Sequence, residues 1–223
     1  MMKKFNKILI IIAIILVFLG ATLLIFKQNK KDDNFKEESL INFNISNDIE
    51  HETSFISNNT YLVVVLKNNS NINIIKANLK VNFTSEEVNE EINMLTKDNK
   101  TVVLVKVPDS LVSNILNEKI KITLDVIKEG ETNFIDVTSL NKDVKYTTTL
   151  NNNYININID GNNTTSKDIK LLMGNIIMYK NNKIVEAKTF GIENIKSKSN
   201  FSKVVSLSNV NYDKIEVYYT FAY

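Results

Sequence analysis

Nineteen consecutive residues, Ile8 to Phe26, carry no charge, and fifteen of them are Ile, Leu, Val or Phe. As a helix rising ~1.5 Å per residue the run spans roughly 28 Å, close to the ~30 Å hydrocarbon core of a bilayer. Side chains of this kind favour the bilayer centre by about 0.3–0.6 kcal/mol each. The sequence therefore predicts a cytoplasmic tail at 1–7, a transmembrane anchor at 8–26 and a polar stalk at 27–38. A cleaved signal peptide has a shorter apolar region, usually ~7–15 residues, ending in a small-x-small site. Here Leu19-Gly20-Ala21 puts Leu where a small residue belongs, so a permanent anchor is expected. Lys3, Lys4 and Lys7 precede the run and Lys27, Lys30 and Lys31 follow it, which leaves the lysine count balanced. A short basic leader before an apolar run has the form of an export signal. This predicts a single-pass protein of the cell membrane with its C-terminal body outside the cytoplasm.

The charge distribution supports that division. All 27 basic residues are Lys, and six lie in the first 31 residues, where there is no acid. The remainder holds 21 lysines against 25 acids, so the body is mildly acidic despite the chain's formal charge of +2. Such a body has no electrostatic attraction for nucleic acid. The abundance of Asn, Ile and Lys is that of proteins from AT-rich bacterial genomes. The chain has no Cys, which excludes disulfides, thiolate metal sites and a Cys nucleophile.

Beyond the stalk the dominant period is two. Ile41, Phe43 and Ile45 alternate with Asn; Ile75, Ala77, Leu79, Val81 and Phe83 alternate with Lys and Asn; Ile155, Ile157 and Ile159 alternate with Asn and Asp. Alternation of this kind makes a half-buried strand. Tyr61–Leu66 is a continuous apolar run, the signal of a buried strand, and Thr101–Val107 is a second, mostly apolar run. A bulge is expected at Gly174, a turn at 161–165 and a tight hairpin at Lys180-Asn181-Asn182-Lys183, where Asn tolerates positive φ. Pro108-Asp109-Ser110 followed by Leu111, Val112, Ile115 and Leu116 predicts a two-turn helix. Glu86–Leu95 fits either a helix or a strand.

Landmarks repeat at a constant offset. Tyr61 with Asn68-Asn69-Ser70 matches Tyr154 with Asn162-Asn163-Thr164, and Lys119–Ile122 matches Lys214–Val217. The offset is 93 to 95 residues, which indicates a tandem duplication. The fold class expected is all-β, with the N-terminal transmembrane helix followed by two tandem β-sandwich domains at 39–138 and 144–223, joined by a linker at 139–143.

The order strand, Asn-Asn-Ser/Thr, long strand ending in an aromatic, turn, strand is carried by Leu62–Ser70 with Leu79–Phe83, and by Ile176–Val185. It resembles the FxLYD-type domain and its immunoglobulin-like relatives in Gram-positive envelope proteins. The family's aromatic-Asp-x-x-Gly turn is missing, since Tyr179 is followed by Lys180 and Phe83 by Thr84. The resemblance implies an extracytoplasmic immunoglobulin-like sandwich with no shared catalytic residues.

Little in the chain points to chemistry. His51, the sole imidazole, is expected in a polar loop and cannot alone make a zinc site or a catalytic triad. Glu86, Glu87, Glu90 and Glu91 read as a solvated charged face. The five glycines are isolated, so there is no phosphate-binding loop. No catalytic residue, metal or cofactor is expected. The candidate partner-binding residues are Tyr218, expected on the outer face of the last strand, and Tyr223, because exposed tyrosines stack on sugars or anchor partners. The function expected is a non-enzymatic envelope module that contacts another envelope protein or the cell wall. The alternative is an anchored hydrolase or ligand-binding protein using a carboxylate pair or exposed tyrosines.

Overall fold

Side chains that alternate between apolar and polar need a backbone that turns successive residues to opposite faces, and the chain after residue 40 meets that need almost entirely with strands. The computed structural model describes residues 41–130, 135, 137–142, 144–151 and 153–223. The expected tail, anchor and stalk lie outside the described residues. Among those described, no helix is long and apolar enough to cross a membrane. The architecture is all-β. The strands are β1 (Ile41–Asn44), β2 (Ile49–Ile56), β3 (Tyr61–Asn68), β4 (Ile74–Asn82), β5 (Glu87–Leu95), β6 (Asn99–Lys106), β7 (Ile120–Glu129), β8 (Lys145–Asn151), β9 (Tyr154–Asn162), β10 (Ile169–Lys180), β11 (Lys183–Ile195), β12 (Asn200–Ser208) and β13 (Lys214–Ala222).

Four sheets form, with orders β1-β7-β4-β5, β2-β3-β6, β11-β10-β13 and β12-β9-β8. The first two close on a core that includes Leu62, Val64, Leu66, Leu79, Val81, Ile120 and Ile122. The last two close on another that includes Ile155, Ile157, Ile159, Ile176, Met178 and Tyr219. The halves share one topology: β2-β3-β6 corresponds to β8-β9-β12, and β5-β4-β7 to β11-β10-β13. Registers agree as well. Val81 pairs with Ile122 in the first half and Ile176 with Val217 in the second, each displaced by 95 residues. Among the described residues the first half alone has an additional strand, β1, which runs parallel to β7.

A buried asparagine holds the same loop in each half. Asn68 is fully buried and donates through Nδ2 to the Ile72 and Leu95 carbonyls, at 2.8 and 3.1 Å. Its Oδ1 accepts from the Ser70 backbone N–H and hydroxyl, at 3.0 and 2.6 Å. Asn163, also fully buried, donates to the Lys167 and Lys196 carbonyls at 2.9 and 3.0 Å and accepts from Thr165 twice, at 3.1 and 2.7 Å. The structurally equivalent triplets are thus Asn68–Ser70 and Asn163–Thr165, one residue later in the second half than the expected match at 162–164.

Several local expectations are revised. Residues 109–117 form consecutive turns that end in a 3-10 turn at Ile115–Asn117, not an α-helix. Their backbone bonds (Leu111 to Pro108, Asn114 to Leu111, Asn117 to Asn114) all reach back three residues. Ser110 caps nothing and donates to Glu86 at 2.7 Å. Glu86–Leu95 resolves as β5, because its apolar residues meet the edge of β4. His51 lies on β2, not in a loop, with its ring stacked on Phe43 at 3.6 Å. Partial burial there lowers its pKa. The stretch expected as a linker carries a short helix, α1 (Thr138–Lys142). Gly161, expected in a turn, sits inside β9 with the Phe201 ring lying where a Cβ would project. The hairpin follows expectation, with Asn181 and Asn182 at φ 51° and 61°. At Gly174 the register with β13 shifts, and the extra residue is Thr220 on the opposite strand.

Candidate functional site at the seam between the halves

Strands β3 and β10 are apolar on both faces because each serves two cores. Odd-numbered Val63 and Val65 turn away from the first core, and Ile177 and Tyr179 turn away from the second. These residues meet, with Ile56, Val102, Ile184, Ala187 and Tyr218, in a third buried cluster. The sheet β2-β3-β6 therefore lies against β11-β10-β13, and residues 40–223 form one compact unit. Polar contacts cross the seam. The Ser54 hydroxyl donates to the Ile184 carbonyl at 2.8 Å, and the Asn99 amide donates to the Tyr219 and Thr220 carbonyls at 3.2 and 3.1 Å.

The sequence placed Tyr218 on an exposed face. The structure buries it to 8 % exposure within this seam, under the Lys100 ammonium, which lies 4.5 Å from its ring centre. Burial pushes its hydroxyl pKa well above the ordinary value, and the charge of Glu216 adds to the rise. Strand β13 is covered on both sides and bulged at Thr220, so simple alternation misassigns its outer face. Tyr223 is 48 % exposed. Tyr219 points into the second core, edge-on to Phe190 and Phe201, and burial raises its pKa to about 12.

Beside the seam opens a cleft of about 690 Å³, lined by Met94 and Val102 from the first half and by Met173, Asn175, Thr189 and Tyr223 from the second. Phe221 and Tyr223 stand at it with parallel rings, 6.5 Å apart and 15° from coplanar. Two features mark the cleft as more than a packing gap. Asn175 is 2 % exposed, and its buried Nδ2 makes no well-formed hydrogen bond, the Tyr218 hydroxyl across the ladder being a polar neighbour. A buried donor left in that state costs about 1–3 kcal/mol. Met94, 3 % exposed, stands at φ 80°, a conformation that L residues other than Asn and Asp rarely adopt. Residues held this way cluster at ligand sites. Neither residue was distinguishable in the sequence, where Asn is abundant and Met94 lies in the segment of ambiguous period.

Two carboxylates also face the seam. Burial acts to raise the Glu216 pKa, but hydrogen bonds from Lys100 and Lys214 outweigh it and hold the carboxyl below the ordinary Glu value. Lys214 lies 2.6 Å away, and Lys100 closes the pair from the other half. Glu52 moves the opposite way: partial burial raises its pKa, Lys100 opposes the rise and Glu216 adds to it. The signs give a test. Stability from Glu216 is present above pH 4.5, its unfolded value, and is lost as pH falls through the lowered folded value. The Glu52 contribution is complete below pH 4.5 and lost as pH rises through its raised value. At neutral pH, Glu216→Gln is expected to lower the calorimetric melting temperature and Glu52→Gln to raise it. Both variants should converge on the parent in acid, where each carboxyl is already neutral. Opposed pKa shifts are the pattern of a catalytic acid–base pair, but both lysines already occupy Glu216, and neither acid lines the cleft. Among the described residues, no group of three or more His, Asp or Glu is placed to hold a metal ion.

No protein-family model matches the chain, and no curated protein matches it. Among solved structures, that of red sea bream transglutaminase matches with a TM-score of 0.20 and 8 % identity, covering 79 % of this chain and 31 % of that one. The chain spans less than a third of that protein's length, and a likeness this slight carries no argument about either fold or activity.

Proposed function

We propose that the chain is a non-enzymatic binding module of a bacterial cell envelope. Residues 8–26 anchor it in the membrane, and two tandem immunoglobulin-like sandwiches stand outside, with the seam cleft receiving a neutral glycan of the cell wall. The apolar run with its lysine flanks supports the topology, and the repeated strand order supports the resemblance to FxLYD-type domains. One observation carries the ligand reading: Phe221 and Tyr223 form a paired aromatic wall on the cleft. Aromatic faces stack on the apolar faces of sugars. Thr101 and Thr189 line the same cleft.

Topology is tested by adding protease to intact cells: digestion of the body supports an outside location, and protection opposes it. The ligand is tested by thermal shift of the full-length protein with soluble wall glycan fragments, because a ligand of the native state raises the melting temperature. A rise is expected, and Tyr223→Ala should weaken the apparent affinity about tenfold, the loss of roughly 1.4 kcal/mol of stacking. No shift with any fragment would remove the glycan reading.

A further inference from the structure

Among the described residues the two halves differ by one strand, and β13 is left without a strand in the slot on its outer edge. In the first half, β1 pairs in parallel with β7, Ile41 opposite Ile120 and Phe43 opposite Ile122. Beneath it Ile120 and Ile122 are 2 % and 0 % exposed. At the displacement of 95 residues, their counterparts on β13 are Ile215 and Val217, and these are only half-buried. No described strand pairs with β13 on that side. An isolated bridge joins Ile135 to Ala222, at the far end of β13. The backbone of Tyr219 fixes the edge's orientation. Its N–H and carbonyl both turn away from β10 to the Asn141 side chain of α1, at 2.6 and 2.9 Å. By period two, Ile215 and Val217 present their own groups along the same line. The Ile215 carbonyl accepts from the Tyr146 hydroxyl at 3.1 Å. Across from this edge, β8 offers the face that pairs with inward Ile155 and Ile159, namely Leu150 and Tyr146. Leu150 is 68 % exposed and Tyr146 39 %.

We propose that this slot takes one extended strand from another protein, running parallel to β13 and carrying bulky apolar residues at alternate positions. The chemistry is displayed by β1, the occupant of the matching place in the first half: Ile41 and Phe43 turn into the core while Asn42 and Asn44 face solvent. Added strands bind through main-chain bonds to an open edge and gain selectivity from pockets for alternate side chains. A second copy of this chain is a poor donor. Each chain has one β1 for two slots, so a copy that filled this one would strip its own β7 and exchange one pairing for another. This inference is independent of the seam cleft.

The probe is a fluorescent peptide of residues Leu40–Ser46, titrated into the full-length protein in detergent micelles. Saturable binding is expected, and none is expected for the same composition with the apolar residues moved one position. Val217→Pro deletes an N–H that points into the slot but spares the ladder to β10, so it should weaken binding at least tenfold without changing the circular dichroism spectrum. Leu150→Asp should do the same through the facing wall. The proposal fails if the peptide does not saturate at millimolar concentration, or if neither substitution affects its binding. It also fails if the parent protein self-associates through this edge and Val217→Pro abolishes that association, since the occupant would then be a second copy.

Discussion

Asn68→Ala is expected to destabilise the first half by about 2–4 kcal/mol, a large part of what holds a domain of this size together. The side chain makes four hydrogen bonds in a fully buried position, and alanine removes them all. The Ile72 carbonyl keeps a second donor in the Ser70 hydroxyl at 3.1 Å, but the Leu95 carbonyl loses the amide. Asn68→Asp should be worse than alanine despite its nearly identical shape. It replaces a donor aimed at two carbonyls with an acceptor, and it brings a charge into a fully buried position. Asn163→Ala should cost less than Asn68→Ala, because the Ser199 hydroxyl still donates to the Lys196 carbonyl at 2.7 Å. Urea denaturation should find Asn68→Asp the least stable variant, Asn68→Ala the next and Asn163→Ala the most stable of the three. If Asn68→Ala cost less than about 0.5 kcal/mol, these loops would be held by their strands and not by the amide.

The contrast shows what the sequence revealed. Period two located most strands, since each must turn one face to a core, and the repeat was visible because Tyr, Asn and apolar landmarks recur. The exact match of Asn163 to Asn68 was not visible. Asn162 and Asn163 are chemically identical in sequence, and only burial distinguishes the one that bonds inward. Tyr61–Leu66 did signal a buried strand, yet nothing local could say that its second cover was the other half of the same chain. That contact buries Tyr218 and assembles the cleft from strands far apart in the chain, so neither the cleft nor the burial of Asn175 has a signature in any short window. His51 was misplaced for a related reason: Glu50, His51 and Glu52 look like a loop, but β2 is an edge strand whose polar residues are tolerated at the rim.

The same two-sided burial predicts that substitutions one residue apart will fail in different ways. Ile177→Asp places a carboxylate in the seam at a position with 0 % exposure, directly across the ladder from Glu216. Burying a charge beside a like charge costs several kcal/mol, and the cheapest relief is to let water in by separating the halves. Ile177 belongs to neither sandwich core, so both should survive. A single melting transition should split in two, and the radius of gyration measured by X-ray scattering should grow. Val63→Asp, approaching the seam from the other side, should reproduce that result, since Val63 faces the same cluster. Val64→Asp should not: Val64 turns the opposite way, into the first core, and a charge there should unfold the first half and leave the second intact. If Val63→Asp and Val64→Asp behaved alike, the strand would not be serving two separate layers. The joined stack would then have to be one core that melts as a whole wherever it is breached.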